Sequence, residues 1–584
     1  MRIARLIPRA AAALAAAAVA GACGGSRPNY PVTERSRSFS DMDASQAGAA
    51  PAAAQGVTAE RITRARAEPQ NWLTYYGAYD GQRFSALDQI AAANVARLQP
   101  AWVFQAGVIG LIATPASYAF EAAPIVVDGV MYLTGWDGYV WALDAATGKV
   151  YWRYRHAIPL DVPLCCGNVN RGAAVAQGRV LVATQNGHLV ALDATTGRVV
   201  WDRVFADVRA GESATLAPLV VKNTVVVGAS GGEYGTRGHL DAFDVATGER
   251  RWRRYTVPRP GEPGSETWTG DAWQRGGGSV WVTGSYDPEL DLMYWGTANP
   301  GPDFDGSARE GANLYTNSVI AVDPDDGAIR WHYQWTPHDV WDYDGVNENI
   351  LFDDADGRKL LAHFDRNGYL FILDRTNGRL VRASRFAERV TWGDIDATTG
   401  RVTVRLTPTP EGVEICPSPS GAKEWPHAAY SPRTRLLYTP VIEKCGRFKS
   451  RRQEFREGMA YWGGEATALP EGHGAVKAID PTTGREVWSQ RTPHPMVGSV
   501  LATAGDVVFA GEPTGEFDAF NARTGERLWQ FRTGSGIHSS PVTYSVGGKQ
   551  YVAVAAGWGG WMKGFAPELY GSTRGSALYV FALP

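Results

Sequence analysis

An all-β chain folded as an eight-bladed propeller is what this sequence predicts, and three observations predict it. A phrase of small or apolar residue, x, Asp or Asn, x, x, Thr, Asp or Asn, Gly recurs seven times, and six copies carry Trp four residues after the Gly. Short β-branched runs such as Val180-Leu181-Val182-Ala183 and Thr224-Val225-Val226-Val227 stand upstream of the copies. A last apolar run, Ala577-Leu578-Tyr579-Val580-Phe581-Ala582, stands where the final blade must close on N-terminal sequence. Alternating runs punctuated by such turns are hairpin strands, and their radial repetition builds a propeller.

In chain order, Met1-Arg2-Ile3-Ala4-Arg5 followed by an alanine-rich stretch through Ala20 reads as an export signal over 1–22, too short to span a bilayer. Ala20-Gly21-Ala22-Cys23 resembles a bacterial lipobox, so lipid attachment at Cys23 is one expectation and simple cleavage the other. Residues 23–67, rich in Ala, Ser, Arg, Pro and Gly, read as a flexible tether, and 68–584 as the propeller. The propeller span gives each of eight blades about 65 residues, which leaves room for functional loops. A formal net charge of −3 gives no basis for nucleic-acid binding, and no second apolar run is long enough for a membrane span. Export places the chain in the periplasm, either free or tethered as a lipoprotein, and permits disulfides. A homodimer is kept open as its assembly.

The repeats begin with Ala142-Leu143-Asp144 to Trp152 and continue at Ala191 to Trp201, Ala242 to Trp252 and Ala321 to Trp331. In the copy at Ile372-Leu373-Asp374 and Gly378, Arg382 takes the Trp position. The last two copies run from Ala478 to Trp488 and from Ala519 to Trp529. In each, a strand ends at the Asp or Asn, the Gly turns the chain, and the next strand delivers Trp into the core. Leu98-Gln99-Pro100-Ala101-Trp102 reads as a degenerate N-terminal copy and brings the count to eight.

Function is carried by what the repeats do not explain. Cys165 and Cys166 are adjacent in a chain with five cysteines, opening Cys165-Cys166-Gly167-Asn168-Val169-Asn170-Arg171. A bridge between neighbours closes almost no loop, so it stabilises little. It can instead present a rigid sulfur surface to something flat.

This segment, with Gly278-Ser279-Val280-Trp281, Ser230-Gly231-Gly232-Glu233, Gly296-Thr297-Ala298-Asn299-Pro300 and Pro337-His338-Asp339-Val340-Trp341-Asp342-Tyr343-Asp344, resembles the pyrroloquinoline quinone (PQQ)-dependent alcohol dehydrogenases, from about residue 71 to the end. The resemblance implies a Cys165–Cys166 disulfide on one face of the quinone and Trp281 on the other. It implies that Arg171 binds a cofactor carboxylate and Arg366 the quinone oxygens, with Glu121, Thr184, Gly232 and Ser279 completing the shell. It places a metal ion on Glu233, Asn299 and Asp342, with Asp342 also the general base that takes the alcohol proton while hydride moves to the quinone. Cys416 and Cys445 match a structural disulfide of the family.

Asp344 sharpens the metal assignment. Family members that use a lanthanide ion carry Asp at this position, whereas calcium types have a small residue. Two residues apart in extended chain point the same way, so Asp342 and Asp344 are expected to share one ion. The expected cofactors are therefore PQQ and one lanthanide, with calcium as the alternative. Asp303 stands where methanol-specific members place a bulky Trp, Glu424 replaces a cofactor-shell Asn, and Val497 replaces another Trp. The expected substrate is a primary alcohol other than methanol. No Cys-x-x-Cys-His occurs, so electrons are expected to leave to a separate cytochrome c. Two alternatives stand beside this reading: a non-catalytic propeller lipoprotein of outer-membrane assembly, and a PQQ enzyme acting on polyols or sugars.

Overall fold

The computed structural model describes residues 48–108, 119–159, 162–559, 569 and 575–584. The export signal and Cys23 lie outside the described residues. Among those described, eight sheets of four or five strands stand one after another along the chain, with one two-stranded hairpin, Gly393–Ile395 with Val402–Val404, beside them. The ring closes as the sequence suggests: Gln99–Val108 pairs antiparallel with Gly575–Ala582 in the sheet that holds Val542–Val546 and Lys549–Ala556. Trp102, the degenerate copy's tryptophan, sits in this closing strand.

Each repeat forms the hairpin between a blade's third and fourth strands. In the first, the Asp144 carboxylate accepts the backbone N–H groups of Ala146 and Thr147 and the Thr147 hydroxyl, and Gly148 takes the left-handed φ of 74° that an L side chain resists. A register shift after Ala142 then turns Trp152 toward the following blade.

The tryptophans do more than fill their own blade. The Trp152 indole N–H donates to Ala194 O of the following blade at 2.9 Å, and its ring covers Gly197, where a Cβ would fall 2.6 Å from the ring. Trp201 does the same to Val245 O and Gly248, and Trp488 to Ala522 O and Gly525. The Gly is therefore fixed twice, by its own φ and by a neighbour's indole. Where Arg382 replaces Trp, Gly484 faces Ser384 and Arg382 instead.

The tether is shorter than expected. From Ala50 the chain is folded, with a helix Ala59–Thr63 and two single turns around it, and Ala54, Val57, Ile62 and Ala65 are buried in the core of the first blades. Apolar residues spaced through an alanine-rich stretch supply that buried face, which composition alone hides. Cys416 and Cys445 form the expected disulfide. One hairpin is not legible in the repeats: Leu436–Ser450 and Gly464–Ile479 extend well past blade length, so the segment between them reaches the central cavity.

Candidate active site

A cavity of about 170 Å³, more than ten times what one water needs, collects residues from segments spread between Glu121 and His538. Glu121, Cys165, Cys166, Arg171, Glu233, Trp281, Asp342, Asp344 and Arg366 all line it, as the sequence suggests. They come from loops of several blades: Glu233 and Arg366 from loops within a blade, the others from connections between one blade and the next.

One side carries the cations. The Arg171 guanidinium lies 5.0 Å from the centre of the half-buried Trp281 ring and 4.3 Å from that of Trp425, and contacts Glu121 at 3.0 Å. Its Nη1 donates to the Thr215 hydroxyl at 2.6 Å. Arg366 is held by three carboxylates: a short ion pair with Glu424, Asp344 at 3.3 Å and Asp342 at 3.7 Å. These anions hold its guanidinium above its ordinary range despite burial. Arg171 Nε and Arg366 Nε on the lining, and Ser279 Oγ behind it, are buried without a hydrogen-bond partner.

The other side is acidic. Asp344 Oδ1 accepts the Asn299 backbone N–H at 2.9 Å, and the Asn299 amide donates to Asp303 Oδ1 at 3.0 Å. Burial, reinforced by the neighbouring carboxylates Glu233, Asp303 and Asp344, pushes the Asp342 carboxyl well above its ordinary value. Burial does the same to Asp303, and lifts Asp344 to about 7 against the pull of Arg366. Glu233 Oε2 is buried with no partner. Five carboxylates, Glu233, Asp303, Asp342, Asp344 and Glu424, share this part of the wall, and Arg366 pairs with three of them, so the surplus negative charge suits an ion with hard, oxygen-preferring chemistry.

Asp342 owes its position to a backbone kink. Its φ is 64°, left-handed, a conformation Asp tolerates better than most residues and one concentrated at functional sites. The buried Asp339 carboxylate maintains it by accepting the N–H groups of Trp341 and Tyr343 at 3.0 Å each, and Arg366 Nη1 donates to Asp342 O at 3.0 Å. Asp342 and Asp344 thus reach the same cavity through this kink. The extended chain expected for them is absent.

Thr184 does not line the cavity: its hydroxyl donates to Asn186 Oδ1 at 2.8 Å and fixes a turn of its own blade. Thr215 is the threonine on the wall, joined there by Ser213 and Ser230. Cys165 and Cys166 are two thiols, with sulfurs 2.7 Å apart, and the bond expected between them is not formed. Neighbouring residues can close that bond only through a small ring that strains the peptide between them. Gly232, Ser279 and Asn299 stand behind the lining, Ser279 Oγ 3.2 Å from where a Gly232 Cβ would project. Asp303 and Glu424 line the cavity; Val497 packs instead with Ile442 and Trp558.

Motif reading missed Phe304, Trp425, Trp462 and His538. Trp462 belongs to the long hairpin's connection, which is tied down where Tyr461 N–H donates to Glu233 O at 2.6 Å and Phe304 N–H to Trp462 O at 2.8 Å. Phe304, Trp462 and Ala466 give the cavity an apolar stretch beside Asp303.

Glu121 supplies a pH test. Burial, opposed by Arg171, raises its carboxyl from 4.5 to about 7. Between those values the folded protein keeps a proton that the unfolded chain has released, so this group's contribution to stability falls as pH rises through the window. The whole effect is roughly 3 kcal/mol. In ligand-free protein, the wild type is expected to lose more stability than Glu121→Gln between pH 5 and pH 8 in denaturant titrations; parallel losses would refute the assignment.

Comparison with known proteins gives consistent results. Residues 72–384 match the family described as "PQQ: Glucose/ethanol/alcohol dehydrogenase, beta-propeller domain", and residues 394–561 match one described as "Outer membrane protein assembly factor BamB". The chain is 39% identical to quinoprotein alcohol dehydrogenase PedH of Pseudomonas putida, over 92% of this chain and 95% of that protein. It is 38% identical to the lanthanide-dependent methanol dehydrogenase of Methylorubrum extorquens, over 87% and 90%. A solved europium-containing methanol dehydrogenase superposes with a TM-score of 0.84 at 35% identity, covering 90% of this chain and all of that one.

Proposed function

Given that the chain belongs to the PQQ-dependent alcohol dehydrogenase family, we propose that it oxidises a primary alcohol to an aldehyde in the central cavity, with Asp342 as general base. The observation that carries this reading is one cavity lined both by Arg171 and Arg366, each with a buried unpaired Nε, and by the carboxylates Glu233, Asp303, Asp342 and Asp344.

The residues present fit both groups. Trp281 and the Cys165–Cys166 pair offer faces for a flat ring, and the buried unpaired donors on Arg171, Arg366 and Ser279 suit its carboxylates and carbonyl oxygens. Glu233, Asn299, Asp342 and Asp344 would hold the metal ion, and Asp303, bonded to Asn299, stands beside them. The excess of buried carboxylates favours a trivalent lanthanide over calcium, because its third charge offsets one carboxylate more. When bound, PQQ supplies the two-electron acceptor and the ion the Lewis acid that polarises it.

The chain's own residues do the rest. Asp342, whose ionisation a cation held by its neighbouring carboxylates would favour, accepts the alcohol proton at a carboxylate oxygen. Asp339 and Arg366 keep that oxygen aimed inward by fixing the backbone on both sides of it. Cys165 and Cys166, oxidised to a disulfide in an exported protein, would give the ring a rigid wall. Phe304 and Trp462 exclude water from the mouth and receive the substrate's carbon chain.

Beyond the catalytic unit, we assign the protein to the periplasm, either free after cleavage near Ala22 or anchored by a lipid on Cys23, with a separate cytochrome c as electron acceptor. The export segment, the lipobox-like run and the lack of a haem-attachment motif support these assignments. No helix among the described residues is long and apolar enough to cross a membrane.

An alcohol panel with an artificial dye acceptor tests the substrate. The apolar mouth predicts higher kcat/KM for ethanol or a longer or aromatic primary alcohol than for methanol. A strong preference for methanol would contradict that assignment, and turnover confined to polyols or sugars would replace it.

A further inference from the structure

His156, His188 and Asp202 converge away from the central cavity. One ligand atom from each lies within 4.8 Å of the other two. His156 follows the outer strand Val150–Arg155 of one blade; His188 and Asp202 stand on His188–Asp193 and Val199–Val204 of the next. The imidazole centres are 4.8 Å apart, and His188 Nδ1 lies 2.8 Å from Asp202 Oδ1.

We propose that these three side chains form a second metal site, selective for a zinc-class divalent ion, that clips the two blades together. Two imidazoles and one carboxylate are a ligand set borderline ions prefer, with a position left for water. The central carboxylate cluster is the opposite case, all oxygen and suited to a hard ion, so the two sites sort metals by chemistry. Support around the ligands points the same way. The Tyr154 hydroxyl lies 3.1 Å from His156 Nδ1 and fixes that ring, as outer partners of metal-bound imidazoles do. His156 is only 8% exposed, which keeps it in place, while the His188 and Asp202 side chains at 26% and 38% leave an entry path. Ligation at about 2.0–2.2 Å would exchange the His156 contact with Asn186 and the His188–Asp202 hydrogen bond for bonds to the ion.

The test uses protein loaded with PQQ and lanthanum, so that the central site is filled, titrated calorimetrically with zinc chloride. The wild type is expected to bind one zinc per chain, and its unfolding midpoint to rise with zinc. His156→Gln/His188→Gln should do neither while oxidising alcohol at the wild-type rate, the control for its folding. Asp202→Asn, a single change on an open side chain, should weaken zinc binding at least about 10-fold and serves if the double variant folds poorly. Equal zinc binding by wild type and variants, or none by the wild type up to millimolar zinc, would overturn the proposal.

Discussion

Replacing Asp342 with Asn lowers alcohol turnover by about 10²–10⁴-fold while PQQ remains bound. The amide keeps the size of the side chain and tolerates the left-handed backbone at this position, so the Arg366 contact to the residue 342 carbonyl survives. What is lost is a group able to accept a proton. The change also replaces a carboxyl that burial, reinforced by its neighbouring carboxylates, makes costly to ionise with a neutral amide, so the ligand-free variant should be no less stable than the wild type. Retained quinone absorbance together with collapsed kcat is the expected pair of readings. Undiminished kcat would remove Asp342 from the chemistry.

Asp344→Asn produces the second large effect, a loss of metal preference. Asp344 accepts the Asn299 N–H and pairs with Arg366, and an amide can keep the first contact without the charge. With one carboxylate fewer, a trivalent ion loses more than a divalent one. The ratio of lanthanum-supported to calcium-supported activity is therefore expected to fall at least about 10-fold. An unchanged ratio would mean that Asp344 serves only to hold Arg366 and Asn299.

The division between what the sequence discloses and what it hides follows from locality. The turn repeats are legible because Asp144 satisfies N–H groups two and three residues away, and the cavity's charged residues because each sits in a short, distinctive run. The docking of Trp152 on the next blade's Gly197 is a relation between repeats that no single repeat contains. Thr184 closes a legible apolar run, whereas nothing beside Thr215 in the sequence marks it; only the packing of Arg171 against Thr215, across 44 residues, brings it to the wall. Phe304, Trp462 and His538 reach the cavity on a loop, a long hairpin and a distant turn, and each reads locally as ordinary core. The kink at Asp342 depends on Asp339, whose carboxylate caps N–H groups on both sides of it, a role its motif position does not announce.

The central claim, that this cavity is a metal-assisted PQQ site for alcohol oxidation, is tested most directly by reconstitution. Ligand-free protein supplied with PQQ and lanthanum together is expected to oxidise a primary alcohol with a dye acceptor, and to do so far more slowly with calcium in place of lanthanum or with either component alone. Protein that takes up both PQQ and lanthanum yet oxidises no alcohol in the panel would contradict it.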